Sequence, residues 1–255
     1  MKNLFDVDGK VAVVTGGSRG IGAMIARGFV ANGVKTYITA RKEDELSATA
    51  AELSQLGECI AVPANLGTTE GVADFAAAIR EREPRLHILV NNAGATWGAP
   101  IDEFPESGWD KVMDLNVKSL FFLTQQLLPA LRAAATADDP ARVINIGSVN
   151  GLTCSHMNNY SYSASKAAVH HLTRHLGVDL AGDNVNVNAI APGFFPSKMT
   201  AHLLPHEEEM VKDIPRGRLG SPEDAAGTAI YLSSRASAWV TGHVLALDGG
   251  HIAAA

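Results

Sequence analysis

Cysteine, excess positive charge and long apolar runs are all scarce in this sequence of 255 residues. The two cysteines, Cys59 and Cys154, are too few for a disulfide scaffold and lack the spacing of metal ligands. We interpret both as packed thiols and expect no metal site. A formal net charge of -6 leaves no basic field to hold a polyanion, so we expect no nucleic acid partner.

No apolar run is long enough to cross a bilayer, and the first residues, MKNLFDVDGK, are acidic where a signal peptide needs an apolar stretch. We therefore expect no membrane partner and a cytoplasmic enzyme or binding protein. Hydrophobic residues make up 46% of the chain, enough for a sizeable core. The length suits one α/β domain or two small ones, and no shift in composition argues for a division.

Short β-branched runs alternate with longer helical patterns along the chain. Strand, helix and strand recur six times, which predicts a parallel sheet with helices on both faces. Ligands of such sheets bind at the carboxyl ends of the strands. The predicted strands are VAVVT from Val11, VKTYIT from Val34, CIAVPA from Cys59, LHILVNN from Leu86, ARVINIGS from Ala141, NVNVNAIAP from Asn184 and VLALDGG from Val244.

A glycine cluster, TGGSRGIG from Thr15 to Gly22, follows the first predicted strand and opens a helix. Glycines there let the backbone approach a pyrophosphate, which the free N–H groups of the helix start can bind. The spacing is not G-x-G-x-x-G, and Ala23 and Met24 stand where a P-loop needs Lys and Ser or Thr. We predict a dinucleotide cofactor; a tight strand-to-helix turn without a ligand is the alternative.

The second predicted strand ends in ITARK, which puts Arg41 where an NAD enzyme presents a carboxylate to the ribose hydroxyls. A guanidinium favours a 2′-phosphate instead, and Arg19 in the glycine turn can reach the same side. The expected cofactor is therefore NADP(H). A solvated cation at a strand end is the alternative for Arg41.

The stretch YSYSASK, Tyr160 to Lys166, puts Tyr162 four positions before Lys166, so these two side chains stack on one helix face. An ammonium at that distance lowers the pKa of a phenol, ordinarily about 10, toward that of a useful general acid. A chance pair on an exposed helix is the alternative. Ser148, ending the predicted strand INIGS, favours catalysis because its hydroxyl can reach a substrate oxygen at the ligand edge. A strand-end serine is otherwise often only a cap.

The chain from Gly193 to about Gly220 is rich in Pro, Phe, Met and Leu without a strand period, then resumes as a helix capped by Ser221. We interpret residues 193–220 as a substrate lid. Apolar side chains in and near it would line a space for a hydrophobic or acyl substrate, or else pack the lid onto the domain. They are Trp97, Leu152, Cys154, Met157, Phe194, Met199, Leu203 and Leu204.

Together these features resemble the short-chain dehydrogenase/reductase family over nearly the whole chain. The motifs are TGGSRGIG, NNAG (Asn91 to Gly94), LNV with Asn116, GS with Ser148, YSASK with Tyr162 and Lys166, APG (Ala191 to Gly193) and DGG (Asp248 to Gly250). Through NNAGATWGAP, PARVINIGS and APGFFPSKMT the chain most resembles bacterial 3-oxoacyl-acyl carrier protein reductases of the rhamnolipid-biosynthesis type. The resemblance implies a Rossmann-type, doubly wound parallel sheet of seven strands, a single domain over residues 1–255, and a homodimer or homotetramer.

The resemblance also implies roles for individual residues. Tyr162 would exchange the proton, Lys166 would bind the nicotinamide ribose and lower the tyrosine pKa, and Ser148 would orient the substrate oxygen. Asn116 would hold a water that links Lys166 to solvent. The implied cofactor-binding residues are Gly16, Ser18, Arg19, Gly20, Ile21, Gly22, Arg41, Asn65, Leu66, Asn92, Ala93, Gly94, Tyr162, Lys166, Pro192, Gly193, Phe195 and Ser197.

Some positions depart from the family pattern. Asn65 stands where the family usually has an aspartate beside the adenine, and Asn can still accept and donate there. After PG, Phe195 and Ser197 replace the usual aliphatic residue and threonine. His171 and His175 share a helix face, but without a third ligand they do not predict a metal site.

The predicted function is NADPH-dependent reduction of a carbonyl to a secondary alcohol, with Tyr162 as general acid. The expected substrate is a small molecule, a 3-oxoacyl thioester or a related ketone. A polyol, hydroxy-acid or steroid dehydrogenase of the same family is one alternative. A non-catalytic dinucleotide-binding regulator is another, which the presence of both Tyr162 and Lys166 disfavours.

Overall fold

The computed structural model describes residues 3–154, 157–197 and 207–254, and within them seven strands form one fully parallel sheet. All seven predicted strands are confirmed. Central strands such as β1 (Val11–Thr15), β4 (Ile88–Asn91) and β5 (Ala141–Ile146) are buried almost throughout because helices cover both of their faces. The strands are β1 Val11–Thr15, β2 Lys35–Thr39, β3 Cys59–Ala61, β4 Ile88–Asn91, β5 Ala141–Ile146, β6 Val185–Pro192 and β7 Val244–Leu247.

Helices connect the strands and pack in two layers. One layer buries apolar residues of α1, α2 and α8 against the sheet, and the opposite layer buries those of α3 and α5. The predicted Rossmann-type single domain is confirmed. The helices are α1 Gly20–Ala31, α2 Glu43–Leu53, α3 Thr69–Arg82, α4 Glu106–Met113, α5 Ser119–Ala134, α6 Tyr160–Asp179, α7 Glu207–Met210 and α8 Pro222–Ser233.

The strand order β3-β2-β1-β4-β5-β6-β7 places the reversal of the winding between β1 and β4. Connections leave the carboxyl ends of these two neighbours in opposite directions, which opens a crevice there. The glycine turn after β1 and the NNAG segment after β4 therefore meet at the same place.

Several strands end earlier than predicted. Pro63, inside the predicted third strand, has no N–H to donate to a ladder. After β4, the N–H groups of Asn92 and Ala93 both donate to the hydroxyl of Thr15 at 2.9 Å instead of to a neighbouring strand.

The predicted cap of the last long helix is confirmed. The hydroxyl of Ser221 accepts the N–H of Asp224, and the carboxylate of Asp224 accepts the N–H of Ser221, with Pro222 at the first helical position. This capping box ends the irregular segment that starts after β6.

The proposed lid, residues 193–220, is described only at its two ends. The N–H of Gly220 donates to the carbonyl of Phe194 at 2.9 Å, which joins the ends of the segment. Met199, Leu203 and Leu204 lie outside the described residues. The lid stays a prediction.

Over the described ranges, no helix combines the length and the hydrophobicity that a bilayer crossing requires. The same ranges contain no group of three or more His, Cys, Asp or Glu side chains arranged to hold a metal ion.

Candidate active site

A cavity of about 530 Å³ lies at the carboxyl ends of the strands, within the size range of ligand sites. It gathers residues from the glycine turn, the end of β2, the NNAG segment, the end of β5, helix α6 and the end of β6. The predicted residues that line it are Gly16, Ser18, Arg19, Gly20, Ile21, Arg41, Leu66, Asn92, Ala93, Gly94, Ser148, Tyr162, Lys166, Pro192, Gly193, Phe195 and Ser197.

The glycine turn is shaped to receive an anion. Gly16 and Gly20 have φ angles of 64° and 55°, in the left-handed region that glycine adopts without strain. Helix α1 begins with no side-chain cap and no acidic residue in its first turn. Its first N–H groups are therefore available to a pyrophosphate, so the turn fits the predicted dinucleotide.

Gly22 supports this turn from behind without lining the cavity. A Cβ atom there would collide with the side-chain amide of Asn92 and the carbonyl of Gly16. That amide donates to the carbonyls of Thr15 and Gly16 at 2.8 and 3.1 Å. The turn is thus locked to the NNAG segment by the close packing at Gly22, and a direct contact of Gly22 with the cofactor stays a prediction.

The end of the cavity beside β2 collects charged side chains. Arg19 forms an ion pair with Glu45 at 3.2 Å, and both line the cavity together with Arg41 and Lys42. Three cations against one carboxylate leave this corner positive, which suits a phosphate group.

Asn65 is exposed and does not line the cavity. Its Oδ1 accepts the N–H of Gly67 at 3.2 Å, a local turn contact, while the next residue, Leu66, contributes to the lining. The adenine contact of Asn65 stays a prediction.

Helix α6 places Tyr162 and Lys166 one turn apart, as the spacing predicts. Nζ of Lys166 lies 5.5 Å from the centre of the Tyr162 ring and donates a 2.7 Å hydrogen bond to the carbonyl of Ile146 at the end of β5. Both side chains face the sheet, so the chance pair on an exposed helix is excluded.

The Ser148 hydroxyl caps a turn and also lies beside Tyr162. It accepts the N–H of Asn150 at 3.2 Å and so caps the short 3₁₀ turn Val149–Gly151. The same hydroxyl lies beside the Tyr162 phenol, close enough to influence its pKa. Capping therefore holds the hydroxyl of Ser148 beside the tyrosine.

The protonation of this pair follows from its burial. Burial raises the pKa of Tyr162 above its ordinary value, and the neighbouring Ser148 hydroxyl opposes that shift only in part. Burial also lowers the pKa of Lys166, to about 8. In the chain by itself, burial thus sets the direction of the Tyr162 shift, and the lowering of its pKa by Lys166 stays a prediction.

Asn116 lies behind the cavity in a π-helical turn, Asp114–Lys118, a distortion common at functional sites. Its Oδ1 accepts the N–H of Ala95 at 2.8 Å, and its Nδ2 donates to the carbonyl of Ala95 and to Oγ of Ser165 at 3.0 and 2.9 Å. The side chain thus joins the segment after β4 to helix α6. Its predicted role in holding a water stays a prediction.

Among the described residues, the apolar side chains predicted for the substrate side lie outside the cavity lining. Leu152, Cys154 and Met157 are exposed, and Trp97 packs against Gly108. The interpretation of Cys154 as a packed thiol is therefore wrong, whereas Cys59 is buried as predicted. Phe194 meets the ring of His251 edge-on at 5.6 Å. The apolar substrate wall therefore stays a prediction.

Sequence reasoning missed several residues of the lining. Lys42 and Glu45 follow Arg41 at the start of α2, so their nearness to a strand end was a usable signal. Others give no local signal, because tertiary packing alone brings them to the cavity. The missed residues are Thr39, Ala40, Lys42, Glu45, Ala64, Ala95, Thr96, Lys111, Leu115, Ile146 and Gly147.

Known proteins share both the sequence and this architecture. The chain is 49% identical to the rhamnolipids biosynthesis 3-oxoacyl-[acyl-carrier-protein] reductase of Pseudomonas aeruginosa, over 98% of this chain and 99% of that protein. It is 34% identical to the gluconate 5-dehydrogenase of Gluconobacter oxydans, over 97% and 96%. The solved Pseudomonas aeruginosa RhlG/NADP active-site complex superimposes with a TM-score of 0.95 at 49% identity, covering 98% of this chain and 99% of that one.

The family model described as short chain dehydrogenase matches residues 10–208, which hold the glycine turn, the Ser148 segment and the Tyr162–Lys166 pair. The predicted resemblance is confirmed along most of the chain. The protein is an oxidoreductase that belongs to the short-chain dehydrogenase/reductase family.

Proposed function

We propose that the protein reduces a 3-oxoacyl thioester, or a closely related ketone, to the secondary alcohol with NADPH. The observation that carries the proposal is the placement of Ser148 beside Tyr162 at one end of a cavity whose other end holds Arg19, Arg41 and Lys42. The first end suits a carbonyl oxygen, and the second suits the 2′-phosphate that distinguishes NADPH from NADH.

The cofactor would be held by backbone and charged groups together. Gly16, Gly20 and the first N–H groups of α1 would receive the pyrophosphate, Arg41 the 2′-phosphate and Lys166 the nicotinamide ribose. When bound there, NADPH supplies the hydride for the carbonyl carbon.

Two hydroxyl groups act on the substrate oxygen. Ser148 donates a hydrogen bond to it, and Tyr162 transfers its proton to it as negative charge develops. A raised pKa keeps Tyr162 protonated at neutral pH, which is the form that reduction requires. Alcohol oxidation would need the phenolate, so this environment favours the reductive direction.

The names of the relatives support an acyl thioester as the substrate. The relative at 49% identity is named as a 3-oxoacyl-[acyl-carrier-protein] reductase, whereas relatives at 34–36% identity are named for gluconate and galactitol. The test is steady-state reduction of acetoacetyl thioester and of a ketogluconate, each with NADPH and with NADH. The proposal expects the highest kcat/KM for the thioester with NADPH. A faster ketogluconate reaction would favour a sugar-acid dehydrogenase instead.

We also infer a cytoplasmic homo-oligomer. Both cysteines are free thiols, which suits a reducing compartment. Trp109 and Phe122, on α4 and α5, expose large apolar side chains that a second copy of the chain would cover. Light scattering coupled to size exclusion gives the mass, and a monomer at micromolar concentration would contradict this inference.

A further inference from the structure

A buried histidine lies beneath the Ser148 segment, and the proposed chemistry does not use it. His170 follows Tyr162 and Lys166 on α6 at successive spacings of four, so all three share one helix face. Only 2% of His170 is exposed. Burying a polar ring costs free energy unless its nitrogen atoms are paired, so the contacts of this ring matter.

The imidazole ring packs directly against the backbone that carries Ser148. Nε2 of His170 lies 3.4 Å from the backbone nitrogen of Ser148 and accepts its hydrogen bond. A Cβ atom at Gly147 would collide with Nε2, and one at Gly151 would lie 2.8 Å from Cε1. Glycine at both positions thus makes room for the ring.

The contact determines which form of the ring is present. Nε2 can accept a hydrogen bond only while its lone pair is free, so the ring is neutral and carries its proton on Nδ1. Nδ1 is buried and has no well-formed hydrogen bond in the described part of the chain. Burial, aided by the charges of Lys166 and Arg174, lowers the pKa of His170 to about 4, and the backbone of Gly151 opposes this only in part.

We propose that His170 is a positioning residue, whose Nε2 holds the backbone of Ser148 so that its hydroxyl meets Tyr162 and the substrate oxygen. This inference rests on the proposed function. Ser148 is held at two points: its N–H donates to Nε2 of His170, and its hydroxyl accepts the N–H of Asn150. Because Tyr162 and His170 belong to one helix, that helix sets the distance between the acid and the serine.

The test compares two substitutions of similar length, His170→Gln and His170→Met. The side-chain oxygen of Gln can accept the Ser148 N–H at about the place of Nε2, whereas Met fills the space without a comparable acceptor.

Loss of one hydrogen bond corresponds to a kcat about tenfold lower in His170→Met. His170→Gln should recover most of the rate, and both should keep the wild-type Kd for NADPH. The exposed neighbour supplies the control, His171→Met, with wild-type kcat. Equal rates for the Gln and Met variants would overturn the proposal.

A double-mutant cycle with Ser148→Ala asks whether His170 acts through the serine. If it does, His170→Met lowers kcat in the wild-type background and has no further effect in Ser148→Ala. Additive losses would overturn the proposal.

If His170→Met does not fold, His170→Asn replaces it, since its shorter side chain cannot bring an oxygen to the Ser148 N–H. A Gln variant faster than the Asn variant then supports the proposal, and equal rates overturn it.

These outcomes are separate from those of the proposed function. An inactive Tyr162→Phe together with additive losses in the cycle would remove only the role of His170. An active Tyr162→Phe would remove the proposed reductase mechanism whatever the His170 variants do.

Discussion

The ammonium group of Lys166 lies 5.5 Å from the centre of the Tyr162 ring and donates a 2.7 Å hydrogen bond to the carbonyl of Ile146. The lysine is therefore held between the end of β5 and the face of the phenol. Burial of both side chains raises the pKa of Tyr162 and lowers the pKa of Lys166 to about 8. The chain thus holds a protonated acid in a desolvated place, ready for reduction.

Replacing Tyr162 with Phe should remove most reductase activity, because the proton donor is lost. General acids typically contribute about a hundredfold or more to rate. NADPH binding, measured by fluorescence titration, should stay near wild type. Tyr160→Phe is the matched control, since the Tyr160 hydroxyl makes only a 3.3 Å contact with Asn158. Near-wild-type turnover by Tyr162→Phe would contradict the assigned acid.

Replacing Arg41 with Ser should weaken NADPH binding about tenfold or more and leave NADH binding unchanged, because a charge-assisted contact to the 2′-phosphate is lost. Arg27→Ser removes an exposed arginine that pairs with Glu52 on the surface and should affect neither cofactor. The Kd values for NADPH and NADH, measured by titration, test this prediction. Equal weakening for both cofactors would show that Arg41 does not read the phosphate.

Replacing Glu45 with Gln should strengthen the binding of NADPH. The carboxylate of Glu45 pairs with Arg19 at 3.2 Å inside the positive corner of the cavity. Removing its charge leaves Arg19 free for the phosphate, so the Kd for NADPH should fall while that for NADH stays constant. The gain should shrink as salt concentration rises, because exposed charges are screened. Weaker NADPH binding would mean that Glu45 is needed to orient Arg19.

The pH dependence of stability should carry a contribution from His170. Its pKa is about 4 in the folded protein against an ordinary 6.5, so the unfolded chain binds a proton that the folded chain does not in that interval. The free energy of unfolding contributed by this group is complete above pH 6.5 and is lost as pH falls toward 4, by up to about 1.4 kcal/mol per pH unit. Urea titrations should show a shallower decline for His170→Gln. His171→Gln, one position along, should keep the wild-type slope; equal slopes for all three proteins would contradict the prediction.

Two buried cations, Lys10 and Arg142, lie at the amino end of the sheet, opposite the cavity. We expect the stability of the fold to depend on Asp139, whose carboxylate pairs with both. Nζ of Lys10 lies 2.8 Å from this carboxylate, and Nη2 of Arg142, which is 1% exposed, lies 3.4 Å from it. Asp139→Asn leaves both cations without that charge and should lower the free energy of unfolding by about 3 kcal/mol. Chemical denaturation measures the loss. The exposed neighbour Asp138→Asn should be near neutral, and kcat should be unchanged in both.

Much of the architecture was predictable because parallel strands and their helices have strong local patterns. The strands were placed correctly, although the third, fourth, fifth and seventh predicted strands ran too long. Their ends depend on contacts such as the one between the Thr15 hydroxyl and the N–H groups of Asn92 and Ala93. No local pattern predicts a side-chain acceptor from a strand that lies far away in sequence.

The sequence by itself determined the glycine turn, the alternation of strands and helices, and the one-turn spacing of Tyr162 and Lys166, since all three depend on near neighbours in the chain. Only the tertiary structure decided that Lys166 bonds to Ile146, that Glu45 meets Arg19 and that His170 supports Ser148. It also decided the sign of the Tyr162 pKa shift. The physical reason is that desolvation and long-range hydrogen bonds depend on which distant segments pack around a group, and residue spacing carries no record of that packing.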